Sequence, residues 1–168
     1  MSAVTPAELA RVNAELGRDA AGLTRWALGL GKNAIVTTNF RPFEAVILHL
    51  VTRVQPDMPV VWMDNGYNTE ATYRYADEVT RRLGLNLKTY LPLRTRAHRE
   101  AVEGPTPALD DPRHESFTQE VKLEPFARAL REQAPQVWFT ALRASDSAVR
   151  AQMEPVSINP DDLIKVAP

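Results

Sequence analysis

The chain contains no cysteine. Disulfides, thiolate zinc sites, cysteine-held iron–sulfur clusters and a cysteine nucleophile are excluded with it. Glycine is scarce, with seven in 168 residues, and no GxGxxG or Walker-type loop is formed from them. Any phosphate site must therefore work without a glycine-rich cradle. No stretch approaches the roughly 20 apolar residues of a membrane span, and the amino terminus lacks the charged-then-apolar order of a signal peptide. A cytoplasmic location and no membrane partner are expected. An excess of one charge is also missing: 20 Lys and Arg face 21 Asp and Glu, for a net charge of -1. No overall field draws nucleic acid, so an anion site must be local.

What is present is the composition of one ordinary domain, 44% hydrophobic and 24% charged. At this length a single core buries roughly 70% of the unfolded surface without a staple. One domain over residues 1–168 is expected. Its clearest pattern occurs twice. Ala34-Ile35-Val36-Thr37-Thr38-Asn39-Phe40 leads into a helical stripe over Pro42 to Val51, and Pro59 to Tyr67 leads into one over Thr69 to Leu83. Strand, polar turn and helix in succession are the units of a parallel α/β sheet. Ligands of such sheets bind at the strands' carboxyl ends, where helix amino termini favour anions.

Around this pair, residues 1–30 read as a helical segment opened by the capping box Thr5-Pro6-Ala7-Glu8, with a break near Gly17. Asn39 is a candidate cap for the helix that carries Phe43, Val46, Ile47, Leu50 and Val51 on one stripe. Leu85 to Leu91 and Val137 to Ala141 are further strands, a helix opens at Glu124-Pro125, and a last strand is expected over Leu163 to Val166. Between Pro92 and Thr118, four prolines and mixed charges break the periodicity, which predicts a long loop or lid. The apolar run just before Pro168 predicts that little follows the last strand.

Three strand ends supply candidate ligands: Thr37, Thr38, Asn39 and Phe40; Asp64, Asn65, Gly66 and Tyr67; and Arg143, Ser147 and Arg150. Hydroxyls and amide hydrogens at a helix start hold phosphate or sulfate, an acidic residue suits a ribose or base amine, and arginines add bidentate donors. Together they describe a nucleotide pocket. Each group also has a plainer reading, as a helix cap, as a turn chosen for its backbone angles, and as solvated surface charge. His98 and His114 lie near Asp110, Asp111 and Glu115 without the spacing of a metal site, so no metal is expected. Trp62, Trp138 and Phe139 read as core, and His49 as a packed or boundary residue.

The whole pattern resembles the phosphoadenosine phosphosulfate (PAPS) reductase family, within the adenine nucleotide α-hydrolase-like fold. The strongest stretch is Pro56-Asp57-Met58-Pro59-Val60-Val61-Trp62-Met63-Asp64-Asn65-Gly66-Tyr67 with the helix from Glu70 to Val79. It is similar to that family's aspartate-threonine-glycine-tyrosine segment. Thr37-Thr38-Asn39-Phe40 aligns with a serine-rich phosphate turn. Lys122-Leu123-Glu124-Pro125, then Trp138 to Arg143, Ser147 and Arg150, follow the family order, and the resemblance runs from about Leu23 to Val166. It implies a three-layer, Rossmann-like α/β sandwich with a mostly parallel central sheet. The implied ligand is an adenine nucleotide: PAPS, adenylyl sulfate or adenosine bisphosphate.

The chain departs from the pattern in several places. Arg41 and Pro42 follow the turn's phenylalanine where the family has glycine first, Asn65 replaces threonine, and Asp146 replaces glutamine. Arg41 either adds charge toward a phosphate or blocks backbone approach. The reductases resemble one another in a carboxyl-terminal tail whose cysteine attacks the sulfonate sulfur, to be released by thioredoxin. With no cysteine and an end at Pro168, the resemblance implies the pocket, no catalytic residue, no Fe–S cluster and no covalent cofactor. Three functions stay open: a sulfonucleotide reductase-like protein of sulfate assimilation, a nucleotide sensor or partner of a reductase, and an adenylating enzyme of the same fold. Enzymes of that last kind resemble one another in a serine-glycine-glycine-x-aspartate-serine loop, which Thr37 to Arg41 does not reproduce. A homodimer or a partner reductase are the protein partners considered.

Overall fold

The computed structural model describes residues 4–143, 147–160 and 162–168. Strands β1 (Ala34–Thr38), β2 (Pro59–Met63), β3 (Asn86–Tyr90), β4 (Val137–Phe139), β5 (Val156–Ile158) and β6 (Ile164–Val166) form one sheet in the order β3-β2-β1-β4-β6-β5. All neighbours are parallel except β5, which runs antiparallel on β6 at the edge. The order runs outward from β1 in two directions, so β1 and β4 flank the point where it reverses. That reversal opens a crevice beyond the strands' carboxyl ends.

Side chains alternate across the sheet and divide the core in two. Ala34 and Val36, Val60 and Trp62, and Val137 and Phe139 join the larger cluster, which also holds Val12, Leu23, Ala27, Leu48, Val51 and Ala76. Those residues come from α1 (Pro6–Leu16), α2 (Ala20–Gly29), α3 (Glu44–Val54) and α4 (Glu70–Leu83). Ile35 and Val61 point the other way, against Ala129 and Leu130 of α7 (Glu124–Gln133), with Met63 and Trp138 beside them. Helices thus cover both faces, giving the expected three-layer α/β sandwich with a mostly parallel sheet.

Caps set the helix limits. Thr5 Oγ1 accepts from Glu8 N–H at 3.2 Å and Thr69 Oγ1 from Thr72 N–H at 3.2 Å, while Gly84 at φ +61° ends α4 in the left-handed conformation. The start of α3 differs from the sequence reading. The helix begins at Glu44, its cap position is Phe43 with no side-chain cap bond, and Asn39 stands outside it. In consequence Phe43 and Val46 of the supposed inward stripe are exposed, while Ile47 and Val51 are buried.

The segment 92–118, expected as a long loop or lid, contains α5 (Arg96–Glu103) and α6 (His114–Thr118). The Thr95 hydroxyl accepts from His98 N–H at 3.2 Å to start α5. Its apolar content is too small to show a period, because the helix is anchored by one buried arginine, Arg99. A π-helical turn over Gln119–Leu123 joins α6 to α7. Among the described residues no helix is long and apolar enough to cross a membrane.

Candidate functional site

At the end of β1 the alternation sends two neighbouring threonines to opposite faces. Thr37 looks toward the α7 side, where Trp138 Nε1 donates to its Oγ1 at 2.9 Å. Thr38 is buried on the α3 side and donates to Glu44 Oε2 at 2.8 Å. Thr37 and Asn39 line a cavity of about 340 Å³ together with Met63, Lys122, Phe126, Trp138 and Arg150. Trp138, read from the sequence as core, is therefore a wall of the crevice. Lys165 Nζ lies 5.3 Å from its ring centroid, and burial together with the Arg150 charge lowers that ammonium's pKa.

A second cavity of about 340 Å³ shares Asn39, Arg41, Met63 and Lys122 with the first and extends to Phe40, Asn65 and Thr72. Phe40 has φ +53°, and its ring stacks edge-on against Trp62 with centroids 5.0 Å apart. That contact holds a non-glycine residue in the left-handed region at the bend of the turn. Asn65 Oδ1 accepts from Tyr67 N–H at 2.8 Å.

Other residues singled out from the sequence stand outside these two cavities. Asp64 Oδ1 is taken up by its own turn, accepting from Gly66 N–H at 3.0 Å, Asn68 Nδ2 at 2.9 Å and the Tyr73 hydroxyl at 2.8 Å. Gly66 sits at φ +79°. Tyr67 turns toward α5: its hydroxyl accepts from Arg99 Nε at 2.7 Å, its ring packs edge-on against Phe117, and Arg96 stacks over it. The second strand end thus contributes Asn65 to a cavity, while Asp64 and Tyr67 shape the turn and tie it to α5.

The third group divides as well. Arg150 reaches the Thr37–Asn39 cavity from α8 (Ala148–Ala151), whose cap is Ser147, with Oγ accepting from Arg150 N–H at 3.2 Å. Arg143 lines a neighbouring groove of about 400 Å³ with Phe43, Val46, Ile47 and Leu142, its guanidinium 4.7 Å from the Phe43 ring centroid. Both arginines also line a pocket of about 300 Å³ with Lys165 and Ser157. Asp146, noted as a departure, lies outside the described residues. Among the described residues no group of three metal-ligating side chains occurs.

Lys122, Phe126, Trp138 and Glu44 were not among the residues first singled out for this site. The sequence signal for Lys122 is its place two residues before Glu124-Pro125, because the π-helical turn there aims it at both cavities. Such turns interrupt the regular ladder and redirect side chains. The crevice therefore joins an aromatic and apolar wall, Trp138, Phe126 and Met63, to the cations Lys122, Arg41 and Arg150. Such a lining suits a planar ring carrying an anionic group.

The chain matches the family model of the phosphoadenosine phosphosulfate reductase domain over residues 33–168. It is 39% identical to the phosphoadenosine 5′-phosphosulfate reductase of Synechococcus over 166 residues, covering 96% of this chain and 70% of that one. Against the enzyme of the same name from Xanthomonas axonopodis pv. citri it is 40% identical over 163 residues, covering 96% and 67%. The phosphoadenylyl-sulfate reductase of Candida auris, solved as a phosphate complex, superposes with a TM-score of 0.82 at 20% identity, covering 99% of this chain and 80% of that one. The FMN adenylyltransferase of Candida glabrata shares the fold more distantly, with a TM-score of 0.53, 12% identity, and coverage of 95% and 57%.

Proposed function

The chain belongs to the phosphoadenosine phosphosulfate reductase family, and from that premise we propose that its 168 residues bind an adenine sulfonucleotide of sulfate assimilation without reducing it by themselves. The observation that carries the reading is the crevice at the β1–β4 reversal, where Thr37, Asn39 and Trp138 face Lys122 and Arg150. The base packs on Trp138 and Phe126, and the sulfate or phosphate lies against the two cations. Lysine acts there as a point charge and arginine as a planar fork. PAPS, adenylyl sulfate and adenosine bisphosphate all meet that description. No covalent cofactor and no Fe–S cluster take part, and the location is the cytoplasm.

Attack on the sulfonate sulfur needs a thiolate, and the chain has no cysteine to supply one. The thiol comes from another segment or from a partner reductase, or the domain serves as a nucleotide sensor. Calorimetry with adenosine 3′,5′-bisphosphate, adenylyl sulfate and ATP tests the binding. Saturable binding of the first two, weakened in Arg150→Ala and Lys122→Ala, is expected, and no binding to any of the three refutes the reading. Sulfite released from labelled adenylyl sulfate by the purified chain with thioredoxin would refute the claim that it cannot reduce its ligand alone.

A further inference from the structure

The turn after β1 has the form of an anion cradle, and the cradle is already full. Asn39 N–H at 2.6 Å, Arg41 N–H at 3.3 Å and the Thr38 hydroxyl at 2.8 Å all donate to a single oxygen, Glu44 Oε2. Thr38 Oγ1 in turn accepts from Phe40 N–H at 2.9 Å. The left-handed φ of Phe40 brings the amides on either side of it, Asn39 and Arg41, toward one oxygen. Glu44 is 8% exposed, and its side chain borders both the Thr37–Asn39 cavity and the Phe43 groove. A carboxylate oxygen stands where the oxygen of a phosphate held by this turn would stand.

We propose that Glu44 is a specificity-determining residue: its carboxylate bars phosphoryl and sulfonate groups from the β1 turn. The part of the ligand that lies against the turn is then a hydrogen-bond donor, a ribose hydroxyl or base amine. The ligand's anionic group goes instead to Lys122 and Arg150. The physical reason is twofold. An incoming phosphate finds the turn's donors spent, and it meets a like charge at close range in a partly desolvated crevice. Moving the carboxylate aside would strand a buried charge without its three donors. The proposal deepens the reading of the crevice as a nucleotide site and rests on it for the ligand, although not for the behaviour of the turn itself.

Titration of the wild-type chain, Glu44→Ala and Glu44→Gln with inorganic phosphate, followed by the backbone amide resonances of Asn39 and Arg41, separates the two. In the wild type these amides stay in place, whereas in Glu44→Ala they shift saturably, with phosphate bound about tenfold more tightly at the turn. Glu44→Gln, which keeps the shape and removes the charge, gains in the same direction and decides the matter where the alanine variant does not fold. Wild-type amides that shift as readily as the variants', or variants with no gain, overturn the proposal and leave Glu44 a helix-start contact only. Failure of every nucleotide to bind in calorimetry would instead strike the functional reading, since the phosphate titration does not depend on it.

Discussion

Trp138 Nε1 donates to Thr37 Oγ1 at 2.9 Å, joining residues 101 positions apart across the line where the sheet reverses its order. Trp138 is a donor only, so this bond commits the Thr37 hydroxyl as acceptor and leaves its proton to be given to something else. That proton remains available to an acceptor in the crevice. The bond therefore sets the polarity of a site group as well as the seam between β1 and β4.

Replacing Trp138 with Phe removes the bond and keeps an aromatic wall. We expect a stability loss of about 1 kcal/mol in urea unfolding, the usual worth of a neutral hydrogen bond. Nucleotide affinity should fall severalfold, because the freed hydroxyl rotates. Thr37→Val should cost a similar affinity, and the double variant little more than either single one, as expected for a coupled pair. Full additivity of the two losses would show that the contact does not transmit to the ligand.

Asp64 is built into its own turn. Its carboxylate oxygen carries three hydrogen bonds inside its own turn and helix start. Asp64→Ala is expected to destabilise the chain by about 2 kcal/mol, with donors of a partly buried turn left unmade. The Tyr73 hydroxyl reports on it directly. Burial first, and the bond to Asp64 second, raise its pKa above the ordinary 10.0. A raised folded-state pKa means that this stability is full below pH 10 and is lost as pH rises through the folded value. In Asp64→Asn, ultraviolet titration should show Tyr73 ionising nearer pH 10, while an unmoved Tyr73 would refute the assignment.

Much of the fold is legible in the sequence because its signals are local. The β-branched runs at Ala34 to Thr37 and Pro59 to Met63, the Thr5 and Thr69 caps and the stop at Gly84 each mark an element through a neighbour or two. The site is less legible because it depends on parity and on distant partners. Whether Thr37 or Thr38 faces the crevice is decided by which sheet face α7 covers, about 90 residues further on. Asp64 and Tyr67 form a recognisable turn, but their side chains are claimed by Tyr73 and Arg99. Glu44 carries no motif of its own, and only the bend at Phe40 brings it under the amides. The helices within 92–118 are obscured because charge pairs and one buried arginine hold them, in place of an apolar stripe.

The first of those charge pairs predicts acid sensitivity. Arg94 meets Glu120 in a two-pronged contact, Nε to Oε1 at 2.6 Å and a terminal nitrogen to Oε2 at 2.6 Å, and the guanidinium hydrogen bonds are the main reason the Glu120 pKa lies below its ordinary 4.5. With the folded value depressed, the contribution is full above pH 4.5 and disappears as pH falls through the folded value. Both side chains are partly exposed, so solvent screening keeps the contribution of the pair small. Unfolding curves of Glu120→Gln and wild type should differ at pH 7 and converge at acid pH. A constant gap at both would exclude the ion pair as its source.

Arg99 holds the Asp64–Tyr67 turn and the 92–118 segment together. It is 3% exposed, donates from Nε to the Tyr67 hydroxyl at 2.7 Å, and lies 4.6 Å from the Phe117 ring centroid, while its ion pair with Glu103 is long at 3.9 Å. Stacking and charged hydrogen bonds, the short one to Tyr67 and a longer one to the Gly104 carbonyl at 3.4 Å, hold the arginine in place more than ion pairing does. Arg99→Ala removes a buried wedge and strands the Tyr67 oxygen, which should cost about 2 to 3 kcal/mol. Lysine supplies charge without the planar stack, so Arg99→Lys should recover less than half of that loss. Because α5 and α6 reach Tyr67 through this residue, limited proteolysis of Arg99→Ala should cut first between residues 104 and 113. Cleavage spread evenly along the chain would mean that Arg99 stabilises the whole fold and does not act as a local tether.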